Sequence, residues 1–279
     1  MKSNVEIFGR KTFFIASDAS LIPESYVEEF LASGYETYII DDDYICPLRK
    51  KVEAIIEHYP DAVLFFNIDA SADGIENWKT YIAETCRKHS QDALIGILHT
   101  KGNPKADEIL RQYYEETIGV RCGFITLQAH HHENFDLMLK ILEKYGAKGR
   151  RQLVRASMDA QSHFNFDIDG KKYKSRVLDV NISHFACTFP EELKHMKIYD
   201  KVRGASFRLN GLKFNSDAVL LMKRSKNDVH LCVFMFISQP DDKPELEPEL
   251  RKNLTRKIYQ VVAEETLTNL KKAFKKADK

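Results

Sequence analysis

Apolar residues in the first half of the chain alternate between short unbroken runs and runs with helical spacing. Unbroken apolar runs are typical of strands that are buried on both faces of a parallel sheet. Five of them lie at residues 12–16, 35–40, 62–68, 93–99 and 122–127. After each one, apolar residues recur every three or four positions, which predicts helices near residues 24–33, 47–58, 75–88, 104–116 and 134–145. This alternation predicts an α/β fold with a flavodoxin-like sheet, whose ligands bind at the carboxyl ends of the strands.

A different pattern begins after Gly146 and Gly149, which mark the best domain boundary in the sequence. Polar and apolar residues then alternate one by one in short segments, as in half-buried antiparallel strands. Turn-forming pairs separate the segments, among them Asp169-Gly170 and Asn210-Gly211. The second half of the chain is therefore predicted to be all-β, a small antiparallel barrel.

The last part of the chain begins with an acidic, proline-rich segment from Pro240 to Pro248. From Glu249 on, apolar residues recur at helical spacing beside a face rich in lysine and arginine, which predicts a C-terminal amphipathic helix. We favour packing of its apolar face within the chain; a dimer coil, a partner helix and a membrane surface are the alternatives. The predicted domains are residues 1–148 (α/β), 149–240 (barrel) and 241–279 (hinge and helix).

The charge balance limits the partners of the protein. The chain has 279 residues, with 42 Lys and Arg, 41 Asp and Glu, and a formal net charge of +1. A general attraction to nucleic acid or to an anionic membrane is therefore not expected, and an anion site must be local. The sequence begins without the apolar core of a signal peptide, and no apolar stretch reaches the roughly 18 residues of a membrane span. We expect a cytoplasmic protein.

The five cysteines lack the CxxC spacing of metal and redox sites, and their number is odd. Each lies in or beside an apolar run, so buried free thiols in a reducing cytosol are expected. They are Cys46, Cys86, Cys122, Cys187 and Cys232.

Two short motifs in the barrel region carry the candidate chemistry. Arg151-Gln152-Leu153-Val154-Arg155 stands at the entry to the barrel, directly after Arg150. Asn181-Ile182-Ser183-His184-Phe185-Ala186 lies at the turn between the second and third predicted strands. An Arg-x-x-x-Arg entry followed by an Asp/Asn-x-Ser-x-x-Gly turn resembles the PilZ domain, over roughly residues 149–240. The resemblance implies a non-enzymatic bacterial receptor for the second messenger cyclic di-GMP.

The residue types in these motifs agree with such a ligand, because the planar arginine fork fits both phosphate oxygens and the guanine edge. By the resemblance, Arg151 and Arg155 clamp phosphate and contact guanine. Asn181 and Ser183 hold a second edge of the ligand from across the barrel. Arg150, a basic residue directly before the motif, favours an intercalated ligand dimer.

Ala186 stands where the family has glycine. If that position needs a positive φ or a close backbone approach to the ligand, alanine costs about 1 kcal/mol, which weakens binding without abolishing it.

The resemblance also implies how binding is transmitted. The arginines lie on the linker, so closing them over the ligand orders the linker and rearranges the two domains. The signal passes to an unidentified protein partner, in control of motility, adhesion or virulence, and a homodimer is left open. We expect no catalytic residue, no metal ligand, no cofactor besides the ligand and no nucleic-acid partner.

The five strand–helix units resemble the receiver domain of response regulators, but the reactive positions differ. Ser17-Asp18 supplies one carboxylate where a receiver has an acidic pair. Phe66 or Asn67 stands at the acceptor position, and Asp69 lies beyond it. Thr100 keeps a hydroxyl, and Leu127-Gln128 replaces a lysine. Since magnesium needs clustered carboxylates, we expect a degenerate module for packing or partner binding. The alternative function is a phosphorylation-dependent response regulator, with the acceptor at Asn67 or Asp69 and the barrel as output adaptor.

Two further clusters are weaker candidates for metal binding. Asp41-Asp42-Asp43 follows the second strand and is interpreted as a solvated loop rather than a weak metal site. His130-His131-His132 cannot converge on one ion without an irregular backbone and is also interpreted as a solvated loop. A third function, nucleic-acid binding through the arginines at 150, 151 and 155, is disfavoured by the net charge.

Overall fold

The structure is a computed structural model that describes residues 9–42, 46–89, 94–100, 102–128, 131–149, 152–188, 196–226 and 229–277. The chain divides into two compact units. The first comprises Met1–Gln152 and Thr266–Lys279, and the second comprises Leu153–Glu265. The three domain limits inferred from the sequence remain predictions beside this division.

The first unit contains a parallel sheet of five strands in the order β2-β1-β3-β4-β5. The strands are β1 (Thr12–Ile15), β2 (Thr37–Ile40), β3 (Val63–Asn67), β4 (Leu94–Thr100) and β5 (Phe124–Leu127). The helices are α1 (Glu24–Ala32), α2 (Leu48–His58), α3 (Trp78–Lys88), α4 (Pro104–Gln112), which continues as a π-helical turn (Tyr113–Ile118), and α5 (His131–Lys144). The predicted flavodoxin-like α/β fold is confirmed.

The unbroken apolar runs form the central strands because both faces of the sheet are covered. Every residue of Phe13–Ile15 in β1 and Val63–Phe66 in β3 is completely buried. Phe14 and Phe65, which are register partners on these strands, stack with ring centroids 5.6 Å apart. Each fully buried side chain of this size stabilises the fold by about 1.5–3 kcal/mol, so the two central strands anchor the unit.

A polar cap decides where α3 begins. Asn77 Oδ1 accepts a hydrogen bond from Lys79 N at 2.8 Å, so α3 begins at Trp78, three residues later than the apolar spacing predicts. α5 begins at His131, so the solvated-loop interpretation is wrong for His131 and His132, while His130 lies outside the described residues.

The second unit is an antiparallel sheet that closes on itself. Its strands are β6 (Ala156–Ser157), β7 (His163–Ile168), β8 (Lys171–Val180), β9 (His184–Thr188), β10 (Lys201–Leu209), β11 (Leu212–Lys226) and β12 (Val229–Ile237). Their order is β6-β8-β7-β10-β11-β12-β9, and the pairing of β9 with β8 closes six of them into a barrel. The predicted barrel is confirmed, with β6 as an additional strand.

Phenylalanines fill the inside of the barrel. Phe185 packs against Phe164, Phe207 and Phe234 with ring centroids 5.1, 5.1 and 5.3 Å apart, and all four are buried. Aromatic pairs of this kind contribute about 0.5–1.5 kcal/mol beyond their buried area. These contacts join strands on opposite sides of the barrel and hold its outer face in a fixed register.

The start of the predicted acidic hinge is tied to the barrel. The Asp242 carboxylate accepts hydrogen bonds from Arg203 Nη2 at 2.9 Å and Lys201 Nζ at 2.6 Å, and these bonds hold the pKa of the Asp242 carboxyl well below its usual range. Arg203 Nη1 also donates to Asp217 Oδ2 on β11 at 2.8 Å. The chain therefore leaves the barrel along a fixed path at this point.

The last helix, α6 (Pro248–Ala277), follows this segment. Leu254, Ile258, Leu270 and Phe274 on its apolar face are buried within the chain, in agreement with the favoured interpretation of intrachain packing. None of the helices in the described residues combines the length and the apolar character that crossing a membrane requires.

The cysteines are free, as the sequence predicts. Cys86 is half-buried and the other four are buried. Burial raises the thiol pKa of Cys86 to about 11 and that of Cys122 to about 12. The thiols of both are therefore protonated and weakly nucleophilic at neutral pH.

Candidate functional site

Strand β8 brings the two sequence motifs together, because it pairs with β6 on one side and with β9 on the other. β6 directly follows Arg155, and β9 carries the end of the second motif. Ser157, Asp179 and Ala186 form one cross-strand row over β6, β8 and β9. Arg155 and the Asn181–Ala186 segment thus meet at one place on the barrel.

A β-bulge at Leu178 orients this row. Val177 pairs with Cys187 and Asp179 pairs with Ala186, so Leu178 is an extra residue on β8. Val177 and Val180 are both completely buried, although three positions separate them. The bulge therefore turns Asp179 to the outside of the barrel, where its carboxylate can meet Arg155.

Arg155 forms an ion pair with Asp179, with 3.2 Å between Nη1 and Oδ1. The arginine side chain is 37% exposed, and an exposed pair of this kind contributes only about 0–1 kcal/mol. A guanidinium has five N–H donors in a planar fork, so most of its hydrogen-bonding capacity remains for a bound anion.

Asn181 shapes the turn between β8 and β9. Its Oδ1 accepts hydrogen bonds from the backbone N–H groups of Ser183 and His184, both at 2.8 Å, and its own N–H donates to His184 O at 2.9 Å. The side chain is buried. Within the described part of the chain the Nδ2 amide has no acceptor, so the predicted contact of Asn181 with a guanine edge would use these donors and not the carbonyl oxygen.

Ser183 and His184 continue the turn. Ser183 Oγ and His184 Nδ1 form a hydrogen bond, and Ser183 O accepts from Phe236 N at 2.9 Å, which joins the turn to β12. Burial, and secondly the positive charge of Arg155, lower the pKa of the His184 imidazole. An anion bound to Arg155 would offset this positive charge.

Ala186 lies in a regular strand. It pairs with Val233 on β12 and with Asp179 on β8, and it is not among the described residues with positive φ. Phe185 and Cys187 on either side of it are completely buried, so its methyl group points outwards with Asp179. Alanine therefore carries no backbone strain here, and its only effect on a ligand is the volume of one methyl group.

Arg150 and Arg151 lie outside the described residues. On their amino-terminal side, the chain packs closely within the first unit: a Cβ at Gly9 would lie 2.3 Å from Ala147 O, and Gly9 has φ 81°. A Cβ at Gly34 would lie 2.3 Å from Gln152 O. The backbone on both sides of the two arginines is thus held against glycines that leave no room for a side chain.

Sequence reasoning missed two residues at this site, Asp179 and His184. His184 was only an unassigned position inside the motif, and Asp179 precedes the motif by two residues. The one available signal was an acidic residue shortly before Asn181. Its outward direction depends on the bulge at Leu178, which the alternation of polar and apolar residues does not reveal.

The receiver-like positions of the first unit form a separate polar network at the carboxyl ends of β3 and β4. The Asp69 carboxylate accepts hydrogen bonds from Thr100 N at 2.8 Å, Thr100 Oγ1 at 2.6 Å and His99 Nδ1 at 2.6 Å. His99 Nε2 lies 3.3 Å from Asp107 Oδ1 on α4. Asn67 is buried, and its Oδ1 accepts from Asp69 N at 2.9 Å. Asp69 is thus surrounded by donors that hold two loops together.

The remaining acidic candidates are engaged in loop contacts. Asp18 Oδ1 accepts from Ser20 N at 2.7 Å, and this hydrogen bonding with Ser20 lowers the pKa of the Asp18 carboxyl. Asp42 Oδ2 accepts from Asp73 N, while Asp43 lies outside the described residues. Over the described ranges, no three His, Cys, Asp or Glu side chains are arranged to hold a metal ion.

Comparisons with known proteins give matches among solved structures only. No family model matches the sequence, and no curated protein matches it significantly. The crystal structure of YcgR from Escherichia coli in complex with c-di-GMP is 16% identical with a TM-score of 0.36, and the match covers 44% of this chain and 50% of that one. The PilZ domain of the same protein with c-di-GMP is 17% identical with a TM-score of 0.32, over 43% of this chain and 98% of the domain.

The PlzA protein of Borreliella burgdorferi in complex with c-di-GMP is 15% identical with a TM-score of 0.28, over 46% of this chain and 56% of that one. The chain thus spans about half the length of the full-length proteins it matches. The resemblance to PilZ proteins indicated by the two motifs is confirmed as a similarity. Because the TM-scores lie below 0.5, a ligand for this chain has to be argued from the geometry around Arg155 and Asn181.

Proposed function

We propose that this protein is a non-enzymatic receptor for cyclic di-GMP, which binds on the outside of the barrel at the end of β8. The observation that carries the proposal is the row over β6, β8 and β9, which sets Arg155 beside the Asn181–His184 turn. A cationic fork, amide donors and a hydroxyl are thus grouped at the end of β8. These are the groups that a ligand with two phosphates and two guanines requires.

In the proposed complex, Arg155 exchanges Asp179 for a phosphate oxygen. The exchange is favourable because an exposed ion pair contributes about 0–1 kcal/mol, whereas a bidentate contact to phosphate is stronger. Arg151 contributes a second guanidinium from the segment before the barrel. Asn181 Nδ2 and Ser183 Oγ contact the guanine edge.

Arg150 extends this cationic segment by one residue. Two stacked ligands per barrel would bring four phosphates to the site, and a third guanidinium offsets the added charge. Arg150 is therefore proposed to support a ligand dimer. Binding would order the segment before the barrel, rearrange the domains and change a surface that an unidentified protein partner in the cytoplasm recognises.

Titration calorimetry of the full chain with cyclic di-GMP tests the proposal. We expect binding that weakens about 10- to 100-fold in Arg151→Ala and in Arg155→Ala, as for the loss of a charged hydrogen-bond partner. Arg251→Ala on α6, an exposed arginine in the same unit, is the matched control and should bind normally. Absence of binding by the native protein at tens of micromolar ligand would overturn the proposal.

A phosphorylation-dependent response regulator is the second candidate, favoured by the contact of Asp69 with the Thr100 hydroxyl. Against it, the Asp69 carboxylate is filled by donors from Thr100 and His99. Incubation with acetyl phosphate and magnesium, followed by mass mapping, separates the two candidates. A phosphoryl group that maps to the peptide with Asn67 and Asp69, and that is absent in Asp69→Asn, would support the second candidate. Absence of any labelling in the native protein would rule the second candidate out.

A further inference from the structure

The outside of the barrel carries a second charged surface, on strands β7, β8, β10 and β11. Ten residues of these strands point outwards in register, and we call them the basic sheet face. They are His163, Asn165, Asp167, Lys172, Lys174, Arg176, Ser206, Arg208, Lys213 and Asn215. The residues between them, such as Phe164, Ser175 and Phe207, are buried, which fixes the outward direction of all ten.

Four members of the basic sheet face form one continuous row across the strands. Arg176 pairs with His163, His163 with Arg208, and Arg208 with Lys213. Neighbouring strands lie about 4.8 Å apart, so this row is about 14 Å long. The row beside it consists of Lys174, Asn165, Ser206 and Asn215. Cationic and hydrogen-bonding side chains thus form a grid that follows the curvature of the barrel.

The basic sheet face is much more positively charged than the chain as a whole. The basic sheet face has five Lys or Arg and one Asp, a formal net charge of +4, whereas the whole chain has +1. The single carboxylate, Asp167, accepts a hydrogen bond from Gly170 N at 2.8 Å and belongs to the β7–β8 turn. Among the ion pairs of the described residues, none involves a cation of the basic sheet face.

Such an arrangement is unfavourable for the isolated barrel. Like charges directly opposite each other on neighbouring strands destabilise a sheet, and Arg208 faces Lys213 in this way. A bound polyanion would remove the repulsion. The face has no large apolar side chain, unlike the centre of a protein interface, and no aromatic or aliphatic anchor for a membrane surface. Asn165, Ser206 and Asn215 instead supply neutral donors of the kind that contact phosphate and sugar oxygens.

We infer that the basic sheet face binds the phosphate backbone of a nucleic acid without reading its bases. The net charge of +1 argues against a general attraction, but the strand register gathers five cations on neighbouring strands of the barrel. Binding through phosphates releases counterions and is therefore strongly dependent on salt. On β8, the residues of the basic sheet face precede the bulge at Leu178, whereas the residues of the proposed cyclic di-GMP site follow it. The two proposals therefore do not depend on each other.

The test is fluorescence anisotropy of a labelled DNA duplex of arbitrary sequence and about 20 base pairs with the full chain, without cyclic di-GMP. In Arg208→Gln/Lys213→Gln we expect the affinity at low salt to fall about tenfold or more, and the slope of log K against log salt to become shallower by about 2. The matched control, Arg251→Gln/Lys252→Gln, removes one arginine and one lysine from the exposed face of α6 in the same unit. It should bind within about twofold of the native protein.

Three results would overturn the inference: no binding of the duplex or of its single strands, equal losses in both double variants, or equal binding of a poly-glutamate peptide or phosphatidylserine vesicles. The urea midpoint shows whether a loss of affinity is due to unfolding of the variant. It should be unchanged or higher in Arg208→Gln/Lys213→Gln, because a repulsive pair is removed. If the midpoint falls instead, Lys174→Gln/Arg176→Gln on β8 decides, with the same expected loss of affinity.

Discussion

Arg155 and Asp179 form an ion pair at the place where β6 joins β8, with 3.2 Å between Nη1 and Oδ1. The pair holds the guanidinium on the outer face of the barrel, next to the turn that begins at Asn181. A carboxylate in this position keeps an unliganded arginine oriented, and it also competes with any phosphate that approaches. The affinity of the site for an anion therefore depends on both residues.

Replacement of the carboxylate in Asp179→Asn should strengthen cyclic di-GMP binding by up to about fivefold, because an exposed pair contributes about 0–1 kcal/mol and its loss frees Arg155. Titration calorimetry measures the change. Asp241→Asn, an exposed aspartate of the same unit, is the control and should leave the affinity unchanged. Weaker binding in Asp179→Asn would mean that orientation of the arginine matters more than competition.

Removal of one methyl group in Ala186→Gly should have two opposite effects. Glycine in a strand destabilises by roughly 0.5–1 kcal/mol, so the urea midpoint should fall. The affinity for cyclic di-GMP should rise, because the methyl group points towards the same face as Asp179 and occupies space that the ligand could use. The backbone is unstrained at Ala186, so relief of strain does not contribute to this change. An unchanged affinity would show that this methyl group does not limit the approach of the ligand.

Loss of the side chain in Asn181→Ala should destabilise the protein even without ligand. Two backbone N–H groups, those of Ser183 and His184, lose their acceptor, and each buried unpaired donor costs about 1–3 kcal/mol. The free energy of unfolding in urea measures the effect. Ser183→Ala leaves both of these bonds in place and should cost less, and equal costs for the two variants would contradict the structural role of Asn181.

The lowered pKa of His184 gives the stability a pH dependence of defined sign. Above its ordinary pKa of about 6.5 the imidazole is neutral in both states, and its contribution to stability is fully present. As the pH falls towards the lower pKa of the folded state, the unfolded state takes up the proton first and the contribution is lost. We expect the free energy of unfolding to fall more steeply between about pH 7 and 5 in the native protein than in His184→Gln.

Ligand binding should offset part of the pH dependence that His184 gives to the stability. A phosphate at Arg155 offsets the charge that, after burial, lowers the pKa of His184. Protonation then favours the complex, so the affinity for cyclic di-GMP should rise as the pH is lowered, and His184→Gln should show a flatter profile. Calorimetry at a series of pH values checks this, and parallel profiles for the two proteins would contradict it.

The apolar pattern predicted both folds because each depends on periodicity over many residues. The five unbroken apolar runs correspond to β1–β5, and every predicted end lies within two residues of the observed end. The agreement is close because unbroken apolar runs suit strands that are buried on both faces of a sheet. The pattern failed where periodicity is interrupted. β6 has only two residues, and β10 begins at Lys201 instead of near Ala205 because a register shift with Gly204 at φ 58° breaks the alternation.

The site could be predicted as far as its residue types form a motif. Arg155 and the Asn181–Ala186 segment were proposed in this way and remain predictions as ligand contacts, and the register of β8 explains how they meet. Asp179 could not be found, because its outward direction depends on the bulge at Leu178. The basic sheet face could not be found either, since three of its cations lie on β8 and the other two on β10 and β11, and they come together only through the pairing of four strands.

The bulge at Leu178 makes the length of β8, rather than its composition, decide what the barrel presents to solvent. Residues before Leu178 follow one inward–outward parity and residues after it follow the other. Deletion of Leu178 would leave a regular strand in which Asp179 still pairs with Ala186 and points outwards, whereas deletion of a residue elsewhere in β8 would exchange the inward and outward sets on one side of the gap. Among relatives of this protein, a gap of a single residue at this position would therefore mark barrels that lack the bulge and still present an outward residue to Arg155.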